Sequence, residues 1–391
     1  MLPRIKIEYQ NGQLGTVGDS PDGLFAMVCG ATAVSGTFEL NKAYSVRSVE
    51  ELLSLGVTSE KSPRLWKHVS DFYDEAASGT ELVVMGVSKT SSLTSLLDKT
   101  SGAVKYLITS QNGKLRGVFV AQDGLSSGSV TEGMSADVFT SLPKAQALAE
   151  WATEELYAPL FIIVEGRGYS GENVKDLSAM SYNRVGVVVG DTESGSEGAC
   201  VGILAGRLSG LPVQRNAGRV KDGALSPLEM WIGKKKVEES NSAVVDLYDK
   251  GYITPRKYVG RSGYYWTDDR LACEETDDYA HLTNRRVIDK AYRTAYDTLL
   301  DIMLDELDVN EDGTLQAGVV RNWQQTVEDA INKTMTANGE LSASEDGEGC
   351  TCWIDQSQNV VSTSKLKVTL KVRPHGYSRY VDVELGFAVE S

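Results

Sequence analysis

"RVGVVVGDTESGSEGACVGILAGRL", Arg184–Leu208, decides the fold class. Val185 and Val187–Val189 form a short, continuous β-branched run. Such a run suits a strand buried on both faces. A Gly- and Ser-rich turn follows, and then "EGACVGILAGRL" reads as a helix of small and apolar residues. The stretch is therefore one strand–turn–helix unit. Upstream, "PLFIIVEG" is a strand, "SLPKAQALAEWATEEL" a helix and "GKLRGVFVA" a strand, while "NVKDLSAM" reads as helical. Nearer the start, "LFAMVCGAT" is a buried strand and "SVRSVEELLSLGV" a helix capped by Ser48. "SPRLWKHVSDFYDEAA" (Ser62–Ala77) is a helix and "TELVVMGV" (Thr80–Val87) a strand. Strands alternating with helices imply an α/β body with a largely parallel sheet.

The last third breaks the alternation. Thr283–Leu307 reads as one long helix with Ile288, Ala291, Tyr292, Ala295, Leu299 and Ile302 on a stripe. Val319–Thr336 is a second helix, and "ANGELSASEDGEGCTC" (Ala337–Cys352) reads as a polar loop. The chain closes on alternating residues. Leu366, Val368, Leu370 and Val372 precede a turn, and Tyr377, Val381, Val383, Leu385 and Phe387 follow it. A hairpin with a Pro374–Tyr377 loop would set Val368 opposite Val383 and put both apolar sets on one face. Ile5, Ile7 and Tyr9 alternate in the same way near the start, ahead of the Gly-rich "GQLGTVGDSPDG". A lone strand needs partners, so both ends read as strand arms that add to a neighbour's sheet. The expected organisation is an N-terminal arm (1–20), two parts of an α/β body (21–104 and a middle, inserted α/β region at 105–258) and a C-terminal core domain with closing sheet and arm (259–391). By class it is α/β, α+β overall.

Composition narrows the function. The chain has 391 residues and a formal net charge of −15, from 54 acidic and 39 basic residues. A nucleic-acid binder leans the other way, because phosphate must be neutralised. Five scattered Cys do not make a disulfide framework, which suits synthesis in a reducing cytoplasm. The start "MLPRIKIEYQ" lacks a signal-peptide core, and "APLFIIV" is too short to span a bilayer.

Chemistry is sparse. Asp308, Asn310, Asp312 and Gly313 match half of an EF-hand loop, but Val319 stands where the bidentate Glu belongs, so the segment reads as a capped turn. The loop of Val187–Gly202 could hold phosphate at a helix N-terminus, yet it fits neither dinucleotide nor P-loop spacing. His68, His281 and His375 stand in no ligand motif, and "CTC" at Cys350–Cys352 has the wrong spacing for zinc. Asp268–Asp269 is one of many acidic pairs in so acidic a chain. "GKKK" at Gly233–Lys236 is too short a basic patch for nucleic acid. No catalytic residue, cofactor or metal is expected.

Several segments resemble the tail sheath proteins of contractile phages and related contractile injection systems. "NKAYSVRSVEELLSLGV" followed by "WKHVSDFYDEAASGTELVVMGV" is similar to that family's early region, with Leu55 where Phe is common. "YYWTDDRLA" before "LTNRRVIDKAYRTAYDTLL", with Arg285–Arg286, resembles the lead into its core helix. "STSKLKVTLKVRPHGYSRYVDVELGFA" resembles its closing sheet and arm. The resemblance implies a non-enzymatic homo-oligomer made in the bacterial cytoplasm. It would form stacked hexameric rings around an inner tail tube protein, joined to baseplate and tail terminator proteins. Arms from neighbours would complete a sheet in each core domain, with Ile5, Ile7, Tyr9, Val381, Val383, Leu385 and Phe387 as the arm residues. Two alternatives stay open: a nucleotide- or phosphate-binding α/β enzyme resting on Val187–Gly202, and another self-assembling protein such as a tube or capsid component.

Overall fold

The structure, a computed structural model, describes residues 22–124, 130–303 and 306–385. Ile5, Ile7, Tyr9 and Phe387 lie outside these residues. The chain divides into two units, Met1–Arg293 and Thr294–Ser391, and the boundary falls inside one helix.

The first unit is built on a six-stranded sheet. Its strands are β1 (Phe25–Gly30), β2 (Ala43–Val46), β3 (Leu82–Val87), β4 (Gly117–Val120), β5 (Phe161–Glu165) and β6 (Val185–Val188), in the spatial order β2-β3-β1-β4-β5-β6. All pairings are parallel except β2 with β3. Every residue of β1, β3, β4, β5 and β6 is buried. Burial on both faces is what continuous apolar strands require, because helices must cover each side. The rings of Phe25, Phe119 and Phe161 meet edge-on at the centre, with centroids 5.4 to 6.0 Å apart.

Helices α1 (Val49–Ser54) and α2 (Pro63–Glu75) lie between β2 and β3, α3 (Ala136–Leu156) between β4 and β5, and α4 (Val201–Ser209) after β6. Ser48 caps α1 by accepting from the Glu51 N–H. The small residues of α4 let it press on α2: a Cβ on Gly202 or Gly206 would collide with the carbonyls of His68 and Phe72. Among the described residues, no helix is long and apolar enough to cross a membrane.

Helix α5 (Leu282–Leu300) is shorter than the expected Thr283–Leu307. Beyond Leu300 the chain tightens into turns, with Ile302 and Met303 donating to the carbonyls three residues back. "NVKDLSAM" is not a helix. Its backbone bonds go to other segments, Lys175 N–H to Glu132 and Leu177 N–H to Lys250, in place of a ladder of its own.

The second unit holds α6 (Ala317–Ile331) and a two-stranded antiparallel sheet of β7 (Cys350–Ile354) and β8 (Val368–Val372). Val320, Trp323, Val327 and Ile331 of α6 are buried as the spacing predicts. Two expectations fail here. Strand β7 begins inside the stretch read as a polar loop. The closing hairpin does not form: Val368 pairs with Ile354, and residues 374–385 follow β8 without regular structure. Alternation fixed the apolar face of β8 but carried no information about which strand lies opposite. Cys350, Cys352 and Ile354 supply a matching face that the acidic loop before them concealed.

Candidate functional site

The two edges of the β7–β8 sheet differ. Arg373 N–H donates to the Gly349 carbonyl at 2.8 Å, so at this pair the β8 N–H faces across the ladder. By alternation, Val372–Cys350, Leu370–Cys352 and Val368–Ile354 are the pairs whose N–H and C=O groups point away from the shared ladder. On the β7 side, α6 covers those groups: Cys352 N–H donates to Glu328 Oε1 at 2.6 Å, and Gln324 Nε2 donates to the Cys352 carbonyl at 2.8 Å. On the β8 side, the outward groups of Val368, Leu370 and Val372 have no partner among the described residues. That edge is a ready template for one more strand.

The apolar side chains beside this edge are also incompletely covered. Val368, Leu370 and Val372 share the face of Cys350, Cys352 and Ile354, yet they are only half-buried while the β7 residues are buried. An apolar cleft of about 610 Å³ adjoins them, lined by Leu299, Ile302, Met303, Trp323, Leu366 and Val368 among others. Further on, Val381, Val383 and Leu385 are 74%, 76% and 96% exposed. These three residues leave an alternating apolar row in water.

The Gly-rich turn of the first unit is occupied by the protein's own carboxylate. Glu165, at the end of β5, accepts from Ala199 N–H and Gln122 N–H, each at 3.0 Å, and lies 3.4 Å from Arg167 Nη1. Ala199 lies two residues before α4, next to its N-cap Cys200. Glu165 therefore ties the Gly-rich turn to the end of β5, and a Cβ on Gly198 would collide with it. Nearby, Lys67 Nζ bridges Asp71 and Asp191, each at 2.7 Å. Burial raises the Asp71 pKa to about 6 against the pull of Lys67. His68 is fully buried, its Nε2 3.8 Å from Glu165, and burial with the Lys67 charge holds its pKa well below the usual value.

The half EF-hand is arranged as a turn. Asp312 Oδ1 accepts from the Thr314 N–H and hydroxyl, and the Asn310 amide donates to Thr314 Oγ1 and the Leu315 carbonyl. His375 is half-buried and contacts the Gly339 carbonyl at 3.0 Å. Cys350 and Cys352 are buried as free thiols against α6. One grouping had no signal in the spacing: Asp268, Asp269 and His281 converge in the first unit, all buried. Burial alone would lower the His281 pKa, but the two facing carboxylates raise it to about 9. The pair and the histidine are separated by a loop, so only the fold brings them together.

Residues 2–270 match the family model described as "DUF2586, N-terminal domain", and residues 278–391 the one described as "DUF2586, C-terminal domain". A curated protein of Haemophilus phage HP1 (strain HP1c1), named "Putative tail sheath protein", is 28% identical over 197 residues. That match covers 49% of this chain and about half, 51%, of the relative. The fold is similar along nearly the whole chain to a chain of the anti-feeding prophage baseplate, with TM-score 0.66, 14% identity and coverage of 100% of this chain and 99% of that one. The helical sheath of the same system in its contracted state gives TM-score 0.65, 14% identity and 99% coverage of both chains. The contracted sheath complex of the extracellular contractile injection system PVC gives TM-score 0.63, 13% identity and coverage of 99% and 97%.

Proposed function

The chain belongs to the DUF2586 family, and from that premise we propose that it is the subunit of a contractile tail sheath that polymerises as stacked rings around an inner tube. The fold shared with contracted sheath subunits supports this reading. The observation that carries it is the asymmetric β7–β8 sheet, closed by Gln324 and Glu328 on one side and open along Val368–Val372 on the other.

In this reading the open edge receives an arm from another copy. Ile5, Ile7 and Tyr9 form one arm, and Val381, Val383, Leu385 and Phe387 the other. Each of Val368, Leu370 and Val372 offers an N–H and a C=O, three residues with two groups each, so an added strand gains up to six hydrogen bonds. At about 1 kcal/mol net each, the strand gains on the order of 3–6 kcal/mol before side-chain burial. Such a joint persists while rigid bodies rotate about the linkers, so rings can repack without dissociating. Energy is stored in subunit contacts at assembly, and no nucleotide is needed. The proposed partners are further copies of this chain, a tube protein, and baseplate and terminator proteins. Synthesis in the bacterial cytoplasm precedes incorporation into a virion tail or injection apparatus.

Negative-stain microscopy of the purified protein tests the reading. Ridged hollow cylinders are expected from the full chain, and a folded, non-polymerising subunit after deletion of Met1–Gly18. Long cylinders from the truncated chain would show that the N-terminal arm is not a joint.

A further inference from the structure

Asp268 and Asp269 lie between the short strands Tyr265–Trp266 and Ala272–Cys273, and His281 immediately precedes α5. Their exposures are 5%, 0% and 7%. His281 Nδ1 is buried without a hydrogen-bond partner and faces both carboxylates, 3.5 Å from Asp268 Oδ1 and 3.4 Å from Asp269 Oδ1. Those separations exceed the usual N–H···O range of about 2.7–3.2 Å. They match the edge of a tetrahedron around a metal with bonds of about 2.0–2.1 Å, which is roughly 3.3–3.4 Å.

The carboxylates are already held in place. The Asn216 amide donates to both Oδ1 atoms, and its own oxygen is fixed by Gly218 N–H at 2.8 Å. Asp268 Oδ1 accepts from Asp269 N–H at 2.8 Å, and Asp269 Oδ2 accepts from Thr283 N–H at 2.9 Å. Metal ligands are typically oriented by outer partners of this kind. Charge points the same way: a single imidazole can offset at most one of two buried carboxylate charges, whereas a dication offsets both.

We propose that Asp268, Asp269 and His281 bind a divalent transition-metal ion of the zinc class, with one coordination position left for water. One imidazole nitrogen and two carboxylate oxygens suit zinc better than calcium or magnesium, which take oxygen sets. The ion would tie the Asp268–Asp269 segment to the start of α5. This role is structural and independent of the sheath reading.

The test uses the full chain after chelator treatment. Calorimetric titration with zinc sulfate is expected to show one ion per chain, and His281→Gln to weaken binding about 100-fold. Cobalt(II) in place of zinc is expected to give the intense visible absorption of a four-coordinate site. A wild-type chain that binds no zinc, or a folded His281→Gln chain that binds it equally well, would overturn the proposal. Should His281→Gln fail to fold, Asp268→Asn supplies the same comparison. Should both fail, the wild-type cobalt spectrum decides, and weak six-coordinate absorption would count against the site.

Discussion

The six-stranded sheet of the first unit and the two-stranded sheet of the second use similar side chains, Val, Leu, Ile and Phe against Val, Leu, Ile and Cys. They differ in what covers them. Strands β1 and β3–β6 are buried along their whole length, and the antiparallel strand β2 closes one side of the sheet. Strand β8 is half-buried, with one edge unpaired among the described residues. The first sheet satisfies itself within one chain and supplies stability. The second leaves the outer edge of β8 without a strand among the described residues, and the proposed function assigns that edge to an arm from another copy. Substitutions should therefore divide into those that unfold and those that only prevent assembly.

The largest effect on folding is expected at the aromatic centre. Phe119→Ala should cost about 3–5 kcal/mol in urea denaturation, and a cost below about 1 kcal/mol would mean the first unit is not the rigid partner. Next comes the covered edge of the small sheet. Glu328→Ala leaves the buried Cys352 N–H without its acceptor and should cost about 1–3 kcal/mol. A neutral result would remove the asymmetry between the two edges.

Acid provides a third contrast. His68 stays neutral when folded, with a pKa held well below 6.5, whereas the unfolded chain takes up the proton near 6.5. Its contribution is therefore fully favourable above pH 6.5 and falls by about 1.4 kcal/mol per pH unit below it. Asp71, raised to about 6, has the opposite sign: it binds its proton first in the folded state, so it adds stability as pH drops from 6 toward 3.8. The readout is thus the difference between wild type and His68→Leu. Parallel stability curves from pH 7 to 5.5 would contradict a neutral, buried His68. The smallest effect on folding is expected in the tail. Leu385→Ser should change subunit stability by less than about 0.5 kcal/mol, yet it should reduce the yield of polymer.

The first unit was largely legible in the sequence because parallel strands announce themselves as uninterrupted apolar runs. β5 and β6 needed only "FIIV" and "VGVV". What escaped depends on chain segments that no local pattern links. The alternation of Val368, Leu370 and Val372 was plain, but its partner Cys350–Ile354 was hidden by the acidic stretch before it. Glu165 at the head of α4 could not be seen from the Gly-rich loop it fills. Nor could Asp268, Asp269 and His281, whose meeting depends on the loop that folds His281 back toward the pair. The closed edge of β7 rests on Gln324 and Glu328, an i, i+4 pair on α6 that reads as ordinary surface polarity until Cys352 is placed beside it.

The central claim is that the outer edge of β8 is the joint between subunits, and a single proline tests it. The Leu370 N–H points outward, so Leu370→Pro removes a donor from the open edge and leaves the ladder to β7 intact. The measurement is negative-stain microscopy of the variant beside its urea midpoint. The account predicts a subunit that folds with a near-normal midpoint and forms no cylinders. Cylinders of normal length from folded Leu370→Pro would contradict it.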